Sequence, residues 1–159
     1  MTKASAAAAE RPNRLPVPPM IYLGAIAIAA AVQIAMPLSA GFPVPVRIAG
    51  AVCLGLGMVL DLAAILTLRR ARTTFLPHRG SSALVTGGPY RLTRNPIYLG
   101  NTLALAGLGL ALDWPVLLAL VPVTVVLIDR LAIAREEAHL AHRFGEEFAA
   151  YRERVRRWI

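Results

Sequence analysis

The chain has a single cysteine, Cys53, among its 159 residues, and few charged or aromatic side chains. A single thiol cannot form an internal disulfide, and a count of one cysteine excludes a thiol-rich metal site. Charged residues make up 16% and aromatic residues 6% of the sequence, whereas about a quarter of the residues of an ordinary soluble domain are charged. Hydrophobic residues reach 57%, and the mean hydropathy is +0.58. This composition indicates a membrane protein.

Acidic residues are also scarce. The sequence has 9 of them and 17 lysines and arginines, which gives a net charge of +8. A basic chain can bind nucleic acid, but here the arginines interrupt apolar runs and no nucleic-acid-binding motif accompanies them. We therefore expect anionic membrane lipids as partners and no nucleic acid.

Four apolar runs follow a segment, residues 1–19, that is rich in alanine and proline and is predicted to be a disordered tail. Residues 20–36 carry no charge, and residues 48–68 are interrupted only by Asp61, so both are long enough to cross a bilayer. The first run also has the flanks of a signal peptide, but the runs that follow favour a transmembrane helix. Residues 97–112 and 114–128 are near or below the usual length, which predicts either tilted spans or a hairpin that enters and returns.

The basic residues indicate a topology. Residues 1–19, residues 69–94 and the region from Arg130 onward hold every lysine and arginine except Arg47. Because cytoplasmic loops accumulate these residues, we expect an integral protein of the cytoplasmic membrane with both termini and the central segment in the cytoplasm.

Residues 135–159 have a different periodicity, with apolar residues spaced by three or four at Leu140, Phe144, Phe148, Tyr151, Val155 and Trp158. This spacing predicts an amphipathic helix on the membrane surface. The predicted fold is therefore an all-α integral membrane protein with about four embedded helices and this interfacial helix. Glu137 lies on or beside the apolar stripe, where an unpaired carboxylate is unfavourable. Two interpretations stay open: Glu136 and Glu137 pair with nearby arginines such as Arg130 or Arg143, or they bind a ligand.

Residues 88–100, GPYRLTRNPIYLG, stand directly before the third apolar run. Asn95 is predicted to be the N-cap of the helix that follows, and Pro96 suits its first turn. Helix capping does not explain why four further side chains gather at the same membrane boundary, although aromatic belts and basic flanks are common there. These four are Tyr90, Arg91, Arg94 and Tyr98.

This motif, with REEAHLAHRFGEEFAAYRERVRRWI after two apolar runs, resembles the isoprenylcysteine carboxyl methyltransferase family and the related phospholipid methyltransferases. The shared elements are Gly-Pro-Tyr-Arg, Arg-Asn-Pro with a tyrosine two residues on, and Glu-Glu leading into Phe-Gly and Tyr. The resemblance covers roughly residues 73–159. It implies one membrane methyltransferase domain, residues 20–159, whose cofactor-binding part is about 73–159.

The cofactor that the resemblance implies is S-adenosylmethionine, bound by the last helices rather than by a nucleotide-binding α/β fold. In agreement, the two Gly-Leu-Gly triplets at 55–57 and 107–109 follow no strand and are interpreted as close helix packing. Carried over by position, the cofactor-binding residues are Tyr90, Asn95, Pro96, Tyr98, Leu99, Glu136 and Glu137. The catalytic residues are Arg94 and Glu137, and no metal site is expected.

Methyl transfer is an in-line displacement, so the enzyme mainly aligns donor and acceptor and keeps them dry. Glu136 and Glu137 are assigned to the cofactor's ribose hydroxyls or amino group, and Arg94 to a carboxylate of the cofactor or the acceptor. Asn95 replaces the histidine of many members, and an amide cannot be a general base. His78, His139 and His142 are expected at the surface.

The acceptor is left open by the sequence. A lipophilic acceptor such as the carboxylate of an isoprenylcysteine-like molecule, a phospholipid amine and a small thiol are all compatible with the resemblance. A non-catalytic membrane scaffold that keeps the fold is a further alternative, which predicts no cofactor binding. The oligomeric state is not indicated.

Overall fold

A computed structural model describes residues 17–71 and 83–159, and within these ranges the chain is helical and contains no strand. This confirms the predicted all-α fold. The elements are α1 (Val17–Ala35), α2 (Val44–Arg70), a 3-10 helix (Gly88–Arg91), α3 (Pro96–Leu112), α4 (Pro115–Ile128), a π-helical turn (Asp129–Ile133) and α5 (Ala134–Arg154).

Three helical stretches are long and apolar enough to cross a membrane: α1, α2 and the continuous run Pro115–Arg154. Helix α3 has 17 residues, which at about 1.5 Å per residue gives about 26 Å against a hydrocarbon core of roughly 30 Å. The chain is thus an integral membrane protein whose third apolar run is short, as its sequence predicts. Residues 1–16 of the predicted tail lie outside the described residues, and its last three residues already belong to α1.

The interfacial helix differs from the prediction at both ends. Helix α4 continues through the π-helical turn into α5, because residues 129–134 include no glycine or proline that would end a helix. Helix α5 breaks at Gly145, where φ is +48°, and ends at Arg154 rather than near Trp158. The predicted apolar stripe is confirmed where it is most deeply buried, at Phe148 and Tyr151.

Helices α2 and α3 pack closely along a line of glycines. A Cβ atom on Gly57 would lie 2.5 Å from the carbonyl oxygen of Gly100, and one on Gly107 would lie 2.6 Å from that of Gly50. Because glycine has no side chain, the backbones of the two helices can approach each other directly at these positions. The predicted role of the Gly-Leu-Gly triplets is therefore confirmed for Gly57 and Gly107, whereas Gly55 faces open space.

Helix α1 packs on α4, and α4 also contacts α3. The core between them is formed by small and aliphatic side chains with two tyrosines: Tyr22, Ala25, Ala29, Tyr98, Leu105, Leu117 and Ile128. The opposite face of α2 exposes large apolar side chains, Ile48, Val52, Leu56, Val59, Leu62 and Leu66. An exposed apolar face of this size suits contact with lipid chains.

The two ends of α3 are held differently. At its C-terminal end Asp113 adopts a left-handed conformation, with φ of 58°, and its carboxylate joins the α1–α2 loop. The carboxylate accepts hydrogen bonds from the Ser39 hydroxyl and from the backbone N–H groups of Ala40, at 3.1 Å, and Gly41, at 3.2 Å. These bonds, chiefly that from Ser39, lower the pKa of Asp113. The candidate functional site lies at the other end of α3.

Candidate functional site

The Gly-Pro-Tyr-Arg element forms the 3-10 helix beside the end of α2. Gly88 has φ of +59°, and a Cβ atom there would lie 2.9 Å from the hydroxyl oxygen of Thr67, so both the turn and the contact require glycine. The 3-10 helix ends just before the N-terminus of α3. It thereby places Tyr90 and Arg94 next to the start of α3.

Asn95 occupies the N-cap position of α3, and Pro96 its first helical position, as predicted. The side chain of Asn95 does not cap the helix, however. Its Nδ2 atom instead donates a hydrogen bond of 2.9 Å to the carbonyl oxygen of Arg157. The capping prediction is therefore right in position and wrong in the contact, since the described bond of the Asn95 side chain runs to the segment after α5.

Arg94 and Glu137 form an ion pair between the start of α3 and the first turn of α5. Arg94 Nη2 lies 2.9 Å from Glu137 Oε1, and the two side chains are only 10% and 11% exposed. A pair as buried as this depends strongly on both partners. Arg94 Nε is buried and has no hydrogen-bond partner in the part of the chain that the structure describes. The site thus contains a buried guanidinium group with one N–H donor, at Nε, that makes no hydrogen bond within the described chain.

Glu137 binds a second arginine from the segment after α5. Arg157 Nη2 lies 2.5 Å from Glu137 Oε2, and Arg157 Nε lies 3.2 Å from Glu137 Oε1. The hydrogen bond with Glu137 is the main reason that the pKa of Arg157 is raised. Pairing with arginine is therefore confirmed for Glu137, but the predicted partners Arg130 and Arg143 are wrong. Residues distant in sequence reach Glu137 because the fold brings three segments together there.

Tyr98 and Glu136 form a second link between α3 and α5. The Tyr98 hydroxyl donates a hydrogen bond of 2.5 Å to Glu136 Oε1. The carbonyl oxygen of Tyr98 accepts bonds from the hydroxyls of Tyr22, at 3.1 Å, and Thr102, at 2.7 Å. Both the hydroxyl group and the backbone carbonyl group of Tyr98 are therefore hydrogen-bonded. The hydroxyl holds the carboxylate of Glu136 toward α3.

Tyr90 lies beside these groups. Its carbonyl oxygen accepts a hydrogen bond of 2.7 Å from the Tyr151 hydroxyl. Burial raises the pKa of the Tyr90 phenol, and the nearby Tyr151, Glu136 and Asp61 raise it further, so the phenol stays neutral at physiological pH. Asp61 is the embedded carboxylate of α2, and its Oδ1 atom is buried without a partner among residues 17–71 and 83–159. An ionisable residue inside a membrane segment often marks a functional site.

The predicted site residues mostly converge, with exceptions. Six of them make one of the contacts described above around the start of α3 and α5, Tyr90 through its backbone carbonyl alone: Tyr90, Arg94, Asn95, Tyr98, Glu136 and Glu137. Pro96 is buried at the helix start, and Leu99 contributes only its backbone N–H, which bonds to the carbonyl oxygen of Asn95. His142 is exposed as predicted, and His78 lies outside the described residues. The surface prediction for His139 is wrong, since it is 6% exposed within α5.

Sequence reasoning missed Thr93, Asp129, Arg157 and Trp158, which complete the network. Arg157 stands in the run RERVRR, where nothing distinguishes it from its neighbours. The π-helical turn that carries Asp129 is a feature often found at functional sites, but no local signal in the sequence predicts it. No group of three or more histidine, cysteine, aspartate or glutamate side chains within the described ranges could hold a metal ion.

Residues 46–147 match a family model described as phospholipid methyltransferase. This match covers more than half of the chain and includes the Arg94–Glu137 ion pair. No solved structure matches the chain.

Three curated proteins are similar over part of their length. The cobalt-zinc-cadmium resistance protein CzcN of Cupriavidus metallidurans is 35% identical over 81 residues, which cover 51% of this chain and 37% of that protein. The nickel-cobalt-cadmium resistance protein NccN of Alcaligenes xylosoxydans xylosoxydans is 35% identical over 81 residues, 51% of this chain and 38% of that protein. An uncharacterized protein of Haemophilus influenzae is 35% identical over 63 residues, 40% of this chain and 79% of its own. The matched region thus spans less than two fifths of either resistance protein.

Proposed function

This chain belongs to the phospholipid methyltransferase family, and from that membership we propose that it transfers a methyl group from S-adenosylmethionine to a lipophilic acceptor at the membrane boundary. The observation that carries the proposal is the coincidence of two findings. The family match includes the motif of residues 88–100, and that motif is joined to the Glu136–Glu137 pair by the Arg94 ion pair and the Tyr98 hydrogen bond.

The residues present suit the proposed cofactor. S-adenosylmethionine carries a carboxylate, an ammonium group and two ribose hydroxyls. Arg94 offers the buried Nε donor that lacks a partner in the described chain, and an arginine is well suited to bind a carboxylate. Within residues 17–71 and 83–159, Glu137 Oε2 accepts one hydrogen bond, from Arg157, so it has capacity for a hydroxyl or ammonium group. Glu136, held by Tyr98, offers a second carboxylate.

We therefore assign roles to the converging residues as parts of this proposal. Arg94 and Glu137 are the catalytic residues: Arg94 binds a carboxylate, and Glu137 orients Arg94 and binds the polar part of the cofactor. The rest of the cofactor site is formed by Tyr90, Asn95, Pro96, Tyr98, Leu99 and Glu136. When bound, the cofactor supplies an electrophilic methyl group on a sulfonium. The protein's residues hold the reactants in line and exclude water, which suits a step in which the sulfonium loses its positive charge.

The acceptor we propose has a polar end at this site and an apolar part in the bilayer. The large exposed apolar face of α2 is consistent with lateral access from lipid. A phospholipid amine is the first candidate, since the family description names phospholipids. The carboxylate of an isoprenylcysteine-like lipid is the second, because the unused Nε of Arg94 is a suitable donor for it. A small thiol has no need of a membrane boundary.

The orientation is part of the proposal. The site end of the bundle carries Arg69, Arg70, Arg91 and Arg94, and basic residues accumulate on the cytoplasmic side of membrane proteins. We therefore place both termini and the site in the cytoplasm.

The test is methyl transfer from radiolabelled S-adenosylmethionine into a lipid extract by the purified protein in liposomes. Wild-type protein should label a lipid fraction, and Arg94→Lys should lose about tenfold to a hundredfold of this activity, because lysine keeps the charge and lacks the planar donor pair. Arg91→Lys is the control, since Arg91 is exposed in the 3-10 helix. The absence of labelling by wild-type protein would favour the non-catalytic scaffold. Near-native activity in both variants would show that Arg94 does not bind a carboxylate during the reaction.

A further inference from the structure

The five residues after α5, numbers 155–159, leave the helix and return to the start of α3. Val155 is extended, with φ of −126° and ψ of 128°, and ends the helix. The backbone N–H of Arg94 then donates a hydrogen bond of 2.9 Å to the carbonyl oxygen of Arg156. The carbonyl oxygen of Arg157 accepts two more, from the Thr93 hydroxyl at 3.0 Å and from Asn95 Nδ2 at 2.9 Å. The post-α5 segment, residues 155–159, is thus bonded to the Thr-Arg-Asn part of the motif.

The side chain of Arg157 reaches in another direction, to two carboxylates. Its Nη1 atom lies 3.2 and 3.1 Å from the two carboxylate oxygens of Asp129, while its Nε and Nη2 atoms bind Glu137. Trp158 adds a hydrogen bond of 3.2 Å from its indole N–H to Asp129. One residue therefore connects the start of α3, the π-helical turn and the first turn of α5.

This arrangement uses properties that only arginine has. The guanidinium presents five N–H donors in a rigid plane, so it can bind two carboxylates at once, whereas lysine is a single point charge. Among the residues that the structure describes, loss of Arg157 leaves Glu137 with Arg94 as its one cationic partner and leaves Asp129 without a counter-ion. Glu137 would then be free to rotate away from Arg94.

We infer that Arg157 is a positioning residue of the methyl-transfer site, which holds Glu137 against Arg94 and fixes Asn95 through its own carbonyl group. The inference rests on the proposed function, because it assigns Arg157 a part in cofactor binding through Glu137. Arg157 itself needs no contact with cofactor or acceptor. Its side chain is 35% exposed, which fits a residue at the rim of the site.

A double-mutant cycle on S-adenosylhomocysteine affinity tests the role of the side chain. Arg157→Gln and Glu137→Gln should each weaken binding about tenfold or more, and the double variant should bind about as weakly as Glu137→Gln alone, because coupled residues are not additive. Arg157→Lys should recover part of the loss. Arg154→Gln is the matched control, since Arg154 is exposed and bonds to the carbonyl oxygen of Ala150 in its own helix. Additive losses, or wild-type affinity in Arg157→Gln, would overturn the inference.

Docking of the post-α5 segment can be followed without any cofactor. The chain has two tryptophans, so in a Trp114→Phe background Trp158 is the sole indole. Acrylamide quenching of its fluorescence should increase in Arg157→Gln and in Asp129→Asn and stay unchanged in Arg154→Gln. Unchanged quenching in all variants would contradict the docking itself. If wild-type protein bound no S-adenosylhomocysteine while quenching responded as expected, the proposed function would fail and the docking would stand. If it bound the ligand and Arg157→Gln bound it equally well, only the positioning role would fail.

Discussion

The ion pair between Arg94 and Glu137 allows a quantitative prediction for Glu137→Gln. Both side chains are almost buried, at 10% and 11% exposure, and removing one partner of a buried pair typically costs about 3–5 kcal/mol because the other charge is left uncompensated. Arg157, the second partner of Glu137, is 35% exposed, so water can solvate it when Glu137 is neutral. We therefore expect a loss at the lower end of the range, about 3 kcal/mol in the free energy of unfolding.

The assay is thermal unfolding of the detergent-purified protein. For a chain of this size about 1 kcal/mol shifts the Tm by roughly 2–4 °C, so Glu137→Gln should unfold roughly 6–12 °C below wild type. Glu153→Gln is the control on the same helix, since Glu153 is exposed, and it should stay within about 0.5 kcal/mol of wild type. The double variant Arg94→Gln/Glu137→Gln should lose less than the sum of the single losses, because no buried charge is left alone. Equal Tm values for Glu137→Gln and Glu153→Gln would refute the buried ion pair.

Three further predictions follow from other contacts. Gly57→Val should destabilise the protein by about 1–3 kcal/mol or more by thermal unfolding, because its Cβ would lie 2.5 Å from a backbone oxygen of α3, whereas Gly55→Val faces open space and should be tolerated. Tyr98→Phe removes the hydroxyl that holds Glu136 and should weaken S-adenosylhomocysteine binding about tenfold, which calorimetric titration would measure. Asp113 has a lowered pKa in the folded protein, so its stabilisation is present above the unfolded pKa of about 3.9 and is lost as the pH falls through the folded value. Asp113→Ala should remove that part of the acid dependence of the Tm.

Much of the fold could be predicted because its signals are local. Apolar runs of sufficient length define α1 and α2, and the Asn95–Pro96 pair marks the start of α3. Glycines spaced along α2 and α3 identify close packing, since only glycine permits backbone contact. The family resemblance implies that Arg94, Tyr98, Glu136 and Glu137 share one site, and the fold brings them together in two contacts between α3 and α5.

The partners within the site could not be predicted, because they depend on long-range contacts. Glu137 was expected to pair with arginines close in sequence, yet it binds Arg94 and Arg157. The return of the post-α5 segment follows from hydrogen bonds to the start of α3, and nothing in its own sequence encodes that direction. No glycine or proline in residues 129–133 distinguishes the π-helical turn from an ordinary α-helical turn.

The central claim is that this chain binds S-adenosylmethionine at the Arg94, Glu136 and Glu137 network. Calorimetric titration of the detergent-purified protein with S-adenosylhomocysteine measures this directly and needs no knowledge of the acceptor. We predict saturable binding with about one site per chain, weakened at least about tenfold by Arg94→Lys and unchanged by Arg91→Lys. The absence of binding by folded wild-type protein, or equal affinity in both variants, would contradict the account.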